Sequence, residues 1–266
     1  MGVRMRTLPR LAPQEYGDPD SWLILLRQFG VATAPSWTSS EVLHQLLAEH
    51  QHVFLPAGKP AAPPSGPRAV SEVAYRPGIA SRAVRLTTAT AHALPRTRAF
   101  LQDTVLAAVA AAYLGHDASI NQFAYLTLDV PHATPVTALH YDRKHALKAY
   151  LCLTPADEGW GAPAFVPGTH HHSRSVRQTH LAAGVPEELL PITQGHQDYT
   201  PIGLQGPPGT LVLFDTDCLH QGGTVASGHT RRVLRGHSHP GPRAGSGTAQ
   251  PSDHRRAGQP PNRLRW

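Results

Sequence analysis

The sequence predicts a mainly β fold with flanking helices: a double-stranded β-helix, in which two antiparallel sheets fold over each other as a jelly roll. Three observations predict it. From residue 119 onward, short apolar runs alternate with turn residues, which is the texture of antiparallel strands. Helical periodicity is concentrated in the stretch before them. The length of 266 residues suffices for one sizeable core without a second domain.

Taken in order, apolar positions at helical spacing over residues 18–29 give a first helix, and residues 31–34 a short strand. Ser39-Ser40-Glu41 then opens a helix to about Phe54. Residues 59–68 contain Pro60, Pro63, Pro64 and Pro67, which bar regular structure, so an exposed connection is expected there. A single helix is expected over 95–114, with Pro95 in its first turn, alanine through its second half and Gly115 as its stop. Strands are expected over 120–130, 147–153, 164–167, 210–214 and 231–236. Residues 180–202 show mixed polarity and little period and are expected as an insertion between strands. Residues 241–266, rich in Gly, Pro, Ser and Arg, are expected to be a disordered tail, which leaves 1–240 as the one folded domain.

Charge excludes little but does exclude something. Of the formal net charge of +6, four units belong to the stretch after His237, where Arg243, Arg255, Arg256, Arg263 and Arg265 stand against Asp253. The rest of the chain has no strong basic patch, and the tail lacks the interleaved aromatics of a single-strand binding surface, so no nucleic-acid partner is expected. Cys152 and Cys218 fall in or beside apolar runs and are expected as reduced core thiols, not a disulfide framework or a CxxC metal site. The apolar run 22–26 is too short for a signal segment or a membrane span, so a soluble cytoplasmic protein is expected.

The chemistry is carried by His140, Asp142 and His220. His140-Tyr141-Asp142 precedes the apolar stretch 149–153, and His220 closes the run 211–220, so both sets of potential ligands sit at strand ends. Two imidazoles and one carboxylate on one face of a metal leave the opposite face open, the arrangement that suits non-haem Fe(II) and oxygen chemistry; a closed zinc site is the alternative. A bare His-x-Asp carries little weight among 18 histidines. Eleven residues past His220, however, comes Arg231, whose planar fork can grip a carboxylate in two places. Arg232 adjoins it and must face the other way on a strand. Arg235 shares the parity of Arg231, and Lys148 that of Tyr150 and Cys152, so both could line a pocket. Gln122 and Tyr125 lie an odd number of residues apart, so at most one reaches it. The run His170-His171-His172 cannot converge on one ion in an extended strand, and His237 and His239 are expected to be structural or exposed.

This ordered set of motifs, His140-Tyr141-Asp142, the turn over 165–170, the strand 209–214, His220 and Arg231, resembles the phytanoyl-CoA dioxygenase family of Fe(II)/2-oxoglutarate-dependent oxygenases over roughly residues 20–240. It departs from that family's pattern at Trp160-Gly161 and near Val225. The resemblance implies a cupin-like jelly roll, Fe(II) held by His140, Asp142 and His220, and 2-oxoglutarate anchored through Arg231. It also implies hydroxylation of a small metabolite as 2-oxoglutarate and O2 become succinate and carbon dioxide. Related halogenases replace the carboxylate that Asp142 retains, which argues against halogenation. Desaturation, cyclisation and epimerisation use the same oxidant and stay open. A non-catalytic jelly-roll binding protein is the second alternative, but its signature would be a broken triad or a missing arginine.

Overall fold

The computed structural model describes residues 6–54, 70–76, 81–86, 92–115, 123–131, 138–192 and 198–240. The expectations for residues 59–68, Gln122 and the 241–266 tail fall outside the described residues.

Helix α1 (Pro19–Phe29) begins where the Asp18 carboxylate accepts the backbone N–H groups of Asp20 and Ser21, at 3.2 and 3.1 Å. It stops at Gly30, whose φ of 71° turns the chain left-handed into β1 (Val31–Ala34). Helix α2 (Ser40–Phe54) follows, with Ser39 Oγ accepting the Val42 N–H. The single helix expected over 95–114 is instead two, α3 (Pro95–Leu101) and α4 (Thr104–Leu114). The cause is Asp103, whose carboxylate accepts the Leu106 N–H at 3.0 Å and so caps a new helix where the apolar pattern would have continued the old one. The start of α3 is satisfied from a distance. Glu49 of α2 accepts the Arg96 and Thr97 N–H groups at 2.7 and 2.8 Å.

The strands are β2 (Val70–Arg76), β3 (Ser81–Leu86), β4 (Phe123–Asp129), β5 (Leu147–Cys152), β6 (Ala164–Val166), β7 (Ile202–Gly203), β8 (Thr210–Asp215), β9 (Leu219–Gln221) and β10 (Arg231–Ser238). Helix α5 (His170–Ala182) lies between β6 and β7. It corrects two expectations: the histidine run forms the first turn of a helix, not an extended strand, and the insertion expected over 180–202 begins inside that helix. Strands β2 and β3 had no sequence counterpart, because Arg82 and Arg85 interrupt the apolar alternation of β3.

Seven strands form one antiparallel sheet in the order β1-β8-β5-β10-β4-β3-β2, and three form a second in the order β7-β6-β9. Strand alternation divides the large sheet into two faces. Leu147, Ala149 and Leu151 of β5, Leu211 and Leu213 of β8, and Leu234 of β10 pack outward against Trp22 and Leu26 of α1 and Leu106 and Val109 of α4. The opposite face carries Lys148, Tyr150 and Cys152, then Val212 and Phe214, then Arg231, Val233, Arg235 and His237. Part of it, Cys152, Val212 and Phe214, closes on Phe165 of the small sheet. The outer face therefore makes the main core, and the inner face is free to carry function.

Both cysteines are buried free thiols, and burial pushes each up to about 12. Among the described residues no helix is long and apolar enough to cross a membrane.

Gly30 joins α1 to β1 directly beneath α5: a Cβ there would lie 2.7 Å from the His170 ring. Gly30→Ala should cost about 1–2 kcal/mol for the left-handed backbone alone, with the clash adding to it. Urea denaturation measures this, and a variant as stable as the parent would contradict the packing.

Candidate metal centre

The site begins with a backbone pairing. His140 and His220 face each other in an isolated antiparallel bridge, their N–H and C=O groups exchanged at 3.0 and 2.8 Å. Opposed residues of such a pair project to one side, and the two rings lie 4.5 Å apart, centroid to centroid. Two residues further on, the Asp142 N–H donates to the Thr216 carbonyl at 2.9 Å, which ties the carboxylate's backbone to the corner after β8. One ligand atom from each of His140, Asp142 and His220 falls within 4.8 Å of the others.

The imidazoles are oriented by their second nitrogens. His140 Nδ1 donates to the Ala138 carbonyl at 2.7 Å, and His220 Nδ1 to the Cys218 carbonyl at 2.8 Å. That commits the proton to Nδ1 and turns each Nε2 lone pair towards Asp142 Oδ1, at 3.4 Å from His140 and 3.6 Å from His220. Burial, with Lys148 and His140 nearby, drives the His220 pKa down to about 3, so the ring is neutral and available as a ligand. Burial works against charge on Asp142. The Lys148 ammonium beside it more than offsets that cost and holds the carboxyl well below its usual range. Lys148 Nζ lies 2.5 Å from Asp142 Oδ2, and this contact outweighs the cost of burial and raises the lysine's pKa.

Arg231 lies apart from these three. It is buried at the start of β10, opposite Asp129 of β4, and its Nε donates to Asp129 Oδ2 at 2.7 Å while a terminal nitrogen donates to the Gly161 carbonyl. Further along β10 on the same face, His237 pairs with Lys148 at the triad's end of the sheet. Arg235 lies between, opposite Tyr150, with its guanidinium 4.6 Å above that ring. Tyr125 is on the inner face, its ring 5.3 Å from that of His237. His237 is not exposed, as had been an option, but buried among these residues. The two departures from the family pattern meet each other: Trp160 and Val225 form an isolated bridge, and Val225 fills the space a Cβ on Gly161 would need.

The His170 and His171 rings both donate to the Arg27 carbonyl, at 3.2 and 3.1 Å, and dock α5 on α1. A second group with ligand-like spacing, His145, Asp215 and Asp217, was not foreseen. Its carboxylates already have cations: Arg177 grips Asp217 in two places, and Arg174 reaches both Asp217 and Asp215. Tyr113 donates to Asp215 at 2.7 Å, and the Asp217 N–H returns to Asp215 at 2.8 Å. This group clamps α5 to the corner before His220. The sequence signal was Asp-x-Asp beside a histidine, with arginines three apart on one helix face.

A jelly roll holding two imidazoles and one carboxylate at the end of its inner face is built as the non-haem iron oxygenases are. A family model described as phytanoyl-CoA dioxygenase matches residues 26–233, and the chain belongs to that family of Fe(II)/2-oxoglutarate-dependent oxygenases. No curated protein matches the chain. Among solved structures, the fold is similar to the epimerase SnoN of nogalamycin biosynthesis in complex with Fe3+, alpha ketoglutarate and nogalamycin RO. That match has 15% identity, 83% of each chain covered and a TM-score of 0.59. It is similar to the alpha ketoglutarate dependent carbocyclase SnoK of the same biosynthesis (18% identity, 84% of this chain and 87% of that one, TM-score 0.59). AviO1 from Streptomyces viridochromogenes Tue57 also shares the fold (19% identity, 84% and 95%, TM-score 0.51).

Burial holds His50 down to about 4 and His220 down to about 3, and lowers His170, His237 and His239 as well. Each is harder to protonate in the fold than in the unfolded chain, so the unfolded chain binds more protons below the ordinary histidine pKa and stability falls with pH. The urea midpoint of the metal-free protein should hold above about pH 6.5 and drop steadily towards pH 4. A midpoint that stays level or rises on acidification would contradict the burial of these rings.

Proposed function

We propose that residues 1–240 form an Fe(II)/2-oxoglutarate-dependent dioxygenase that hydroxylates an unactivated carbon of a small metabolite. The observation that carries this reading is the commitment of both Nδ1 atoms to backbone carbonyls, which leaves two Nε2 atoms and one ionised carboxylate within 4.8 Å of one another. That donor set fits Fe(II): nitrogen and oxygen ligands of intermediate softness, three in number, with the other side open.

In this reading His140, Asp142 and His220 hold the iron, and Asp142 exchanges the Lys148 ammonium for it. Arg231 takes the distal carboxylate of 2-oxoglutarate. Only two of its donors are engaged, so three N–H groups are left to a ligand, and Asp129 fixes the plane of the fork. Bound iron with 2-oxoglutarate and O2 supplies the oxidising power, releasing succinate and carbon dioxide. Phe165 and Phe214, packed 4.9 Å apart beside His220, keep water from its flank. The retained Asp142 carboxylate supports oxygen transfer over halogenation. The likeness in fold to SnoN and SnoK supports a substrate from natural-product metabolism and keeps epimerisation and cyclisation as the competing outcomes of the same chemistry.

Anaerobic titration with Fe(II) and then 2-oxoglutarate should produce the weak visible charge-transfer band of the chelate only when both are present. His140→Ala and His220→Ala should abolish it, and Arg231→Met should weaken 2-oxoglutarate by about 10- to 100-fold, the worth of a charge-assisted pair. No band in a folded, metal-loaded parent protein would sink the oxygenase reading.

A further inference from the structure

The inner face of the large sheet holds more positive charge than the proposed iron and cosubstrate chemistry uses. Lys148 on β5 and Arg235 on β10 occupy diagonal positions, since Lys148 pairs with His237 and Tyr150 with Arg235. The guanidinium lies against Tyr150, and the Lys148 ammonium lies 6.0 Å from the centre of the Phe214 ring. Asp142 is the carboxylate that answers Lys148, because Asp129 is committed to Arg231. Arg235 Nε is buried with no acceptor, and Nε2 of His237 is buried with no hydrogen-bond partner, the ring itself being nine-tenths buried between Tyr125 and Tyr150. Buried polar atoms are rarely left without partners, and two of them beside an unbalanced cation describe a ligand pocket.

Charge decides which ligand. With a divalent metal on Asp142 and a doubly charged cosubstrate in place, Lys148 and Arg235 leave one positive charge over. We infer that Arg235 and Lys148, with Tyr125 and His237 beside them, form an oxyanion pocket for the substrate itself, which therefore carries an acidic group: a carboxylate, sulfonate or phosphate. The inference rests on the proposed iron and cosubstrate reading. It adds that the substrate is an organic anion whose acidic end is held between β5 and β10, next to the triad. A planar, delocalised cation stacked on tyrosine keeps its charge when desolvated and offers two parallel N–H groups to such an acid.

Inorganic sulfate is the probe. In the metal-free protein at constant ionic strength, sulfate replacing chloride should raise the thermal midpoint saturably. Arg235→Gln should weaken that response at least fivefold, and Arg235→Lys should retain it within about threefold. The iron and 2-oxoglutarate band of Arg235→Gln, titrated in parallel, should keep its half-saturation within threefold of the parent. A parent without a saturable response, or a glutamine variant that responds like it, would overturn the pocket. A tenfold loss of 2-oxoglutarate affinity in Arg235→Gln would give this cation to the cosubstrate and overturn the substrate assignment. Loss of the band from the parent, with the sulfate response intact, would sink the cosubstrate reading and leave the oxyanion pocket standing.

Discussion

The chain must cross from the large sheet to the small one within three residues, Thr216-Asp217-Cys218, and the geometry of the site depends on that crossing. A corner so tight buries its polar groups, and here both Asp215 and Asp217 are fully buried. Two uncompensated carboxylates would be prohibitive in the interior. Arg174 and Arg177, one helical turn apart on α5, bring the compensating charge, and Tyr113 and the Asp217 N–H supply the remaining hydrogen bonds. Thr216 completes the corner: its backbone binds Asp142 and Ala146, and its hydroxyl binds Lys144 and Ala146. The same few residues thus end β8, start β9, hold down α5 and bring the segment that carries Asp142 to within reach of His220.

From that corner follows a division of labour between faces. Leu147, Ala149 and Leu151 of β5, Leu211 and Leu213 of β8 and Leu234 of β10 bury outward against α1 and α4, so the larger core of the sheet lies outside and only the smaller one, around Val212 and Phe214, lies within. The inner face can then carry charge that a core would not tolerate. It does so in balanced form at one end, where Arg231 meets Asp129, and in unbalanced form at the other, where Lys148 pairs with Asp142 and Arg235 lies against Tyr150 with no acidic partner among the described residues. Preorganisation of the triad has the same origin. Each histidine spends Nδ1 on a carbonyl two residues upstream, a contact fixed by local backbone and independent of any metal.

The fold and the grouping of His140, Asp142 and His220 were legible because they are written in local signals: strand alternation, the turn over 165–170, and a His-x-Asp followed by a distant histidine at a strand end. The split at Asp103 was missed because a helix-capping carboxylate inside an alanine-rich pattern looks like a tolerated surface residue until Leu106 is seen to donate to it. Strands β2 and β3 were missed because Arg82 and Arg85, an odd number of residues apart and so on opposite faces of β3, break its apolar alternation. Helix α5 was hidden by its histidines and arginines, whose partners lie far along the chain at Arg27 and Asp217. The company of Arg231 was equally invisible, since Asp129 reaches it only through the pairing of β4 with β10. Parity brought Lys148 and Arg235 into view as possible pocket residues, but alternation alone could not show which acids surround them.

The most direct test is anomalous diffraction from crystals of the protein grown with Mn(II), a redox-silent stand-in for Fe(II), and 2-oxoglutarate. The account predicts one metal peak bonded to His140 Nε2, His220 Nε2 and the Asp142 carboxylate, with Lys148 withdrawn from that carboxylate and the corner at Asp215 and Asp217 still clamped by its arginines. A peak at His145, Asp215 and Asp217, or none within bonding distance of the triad, would contradict it.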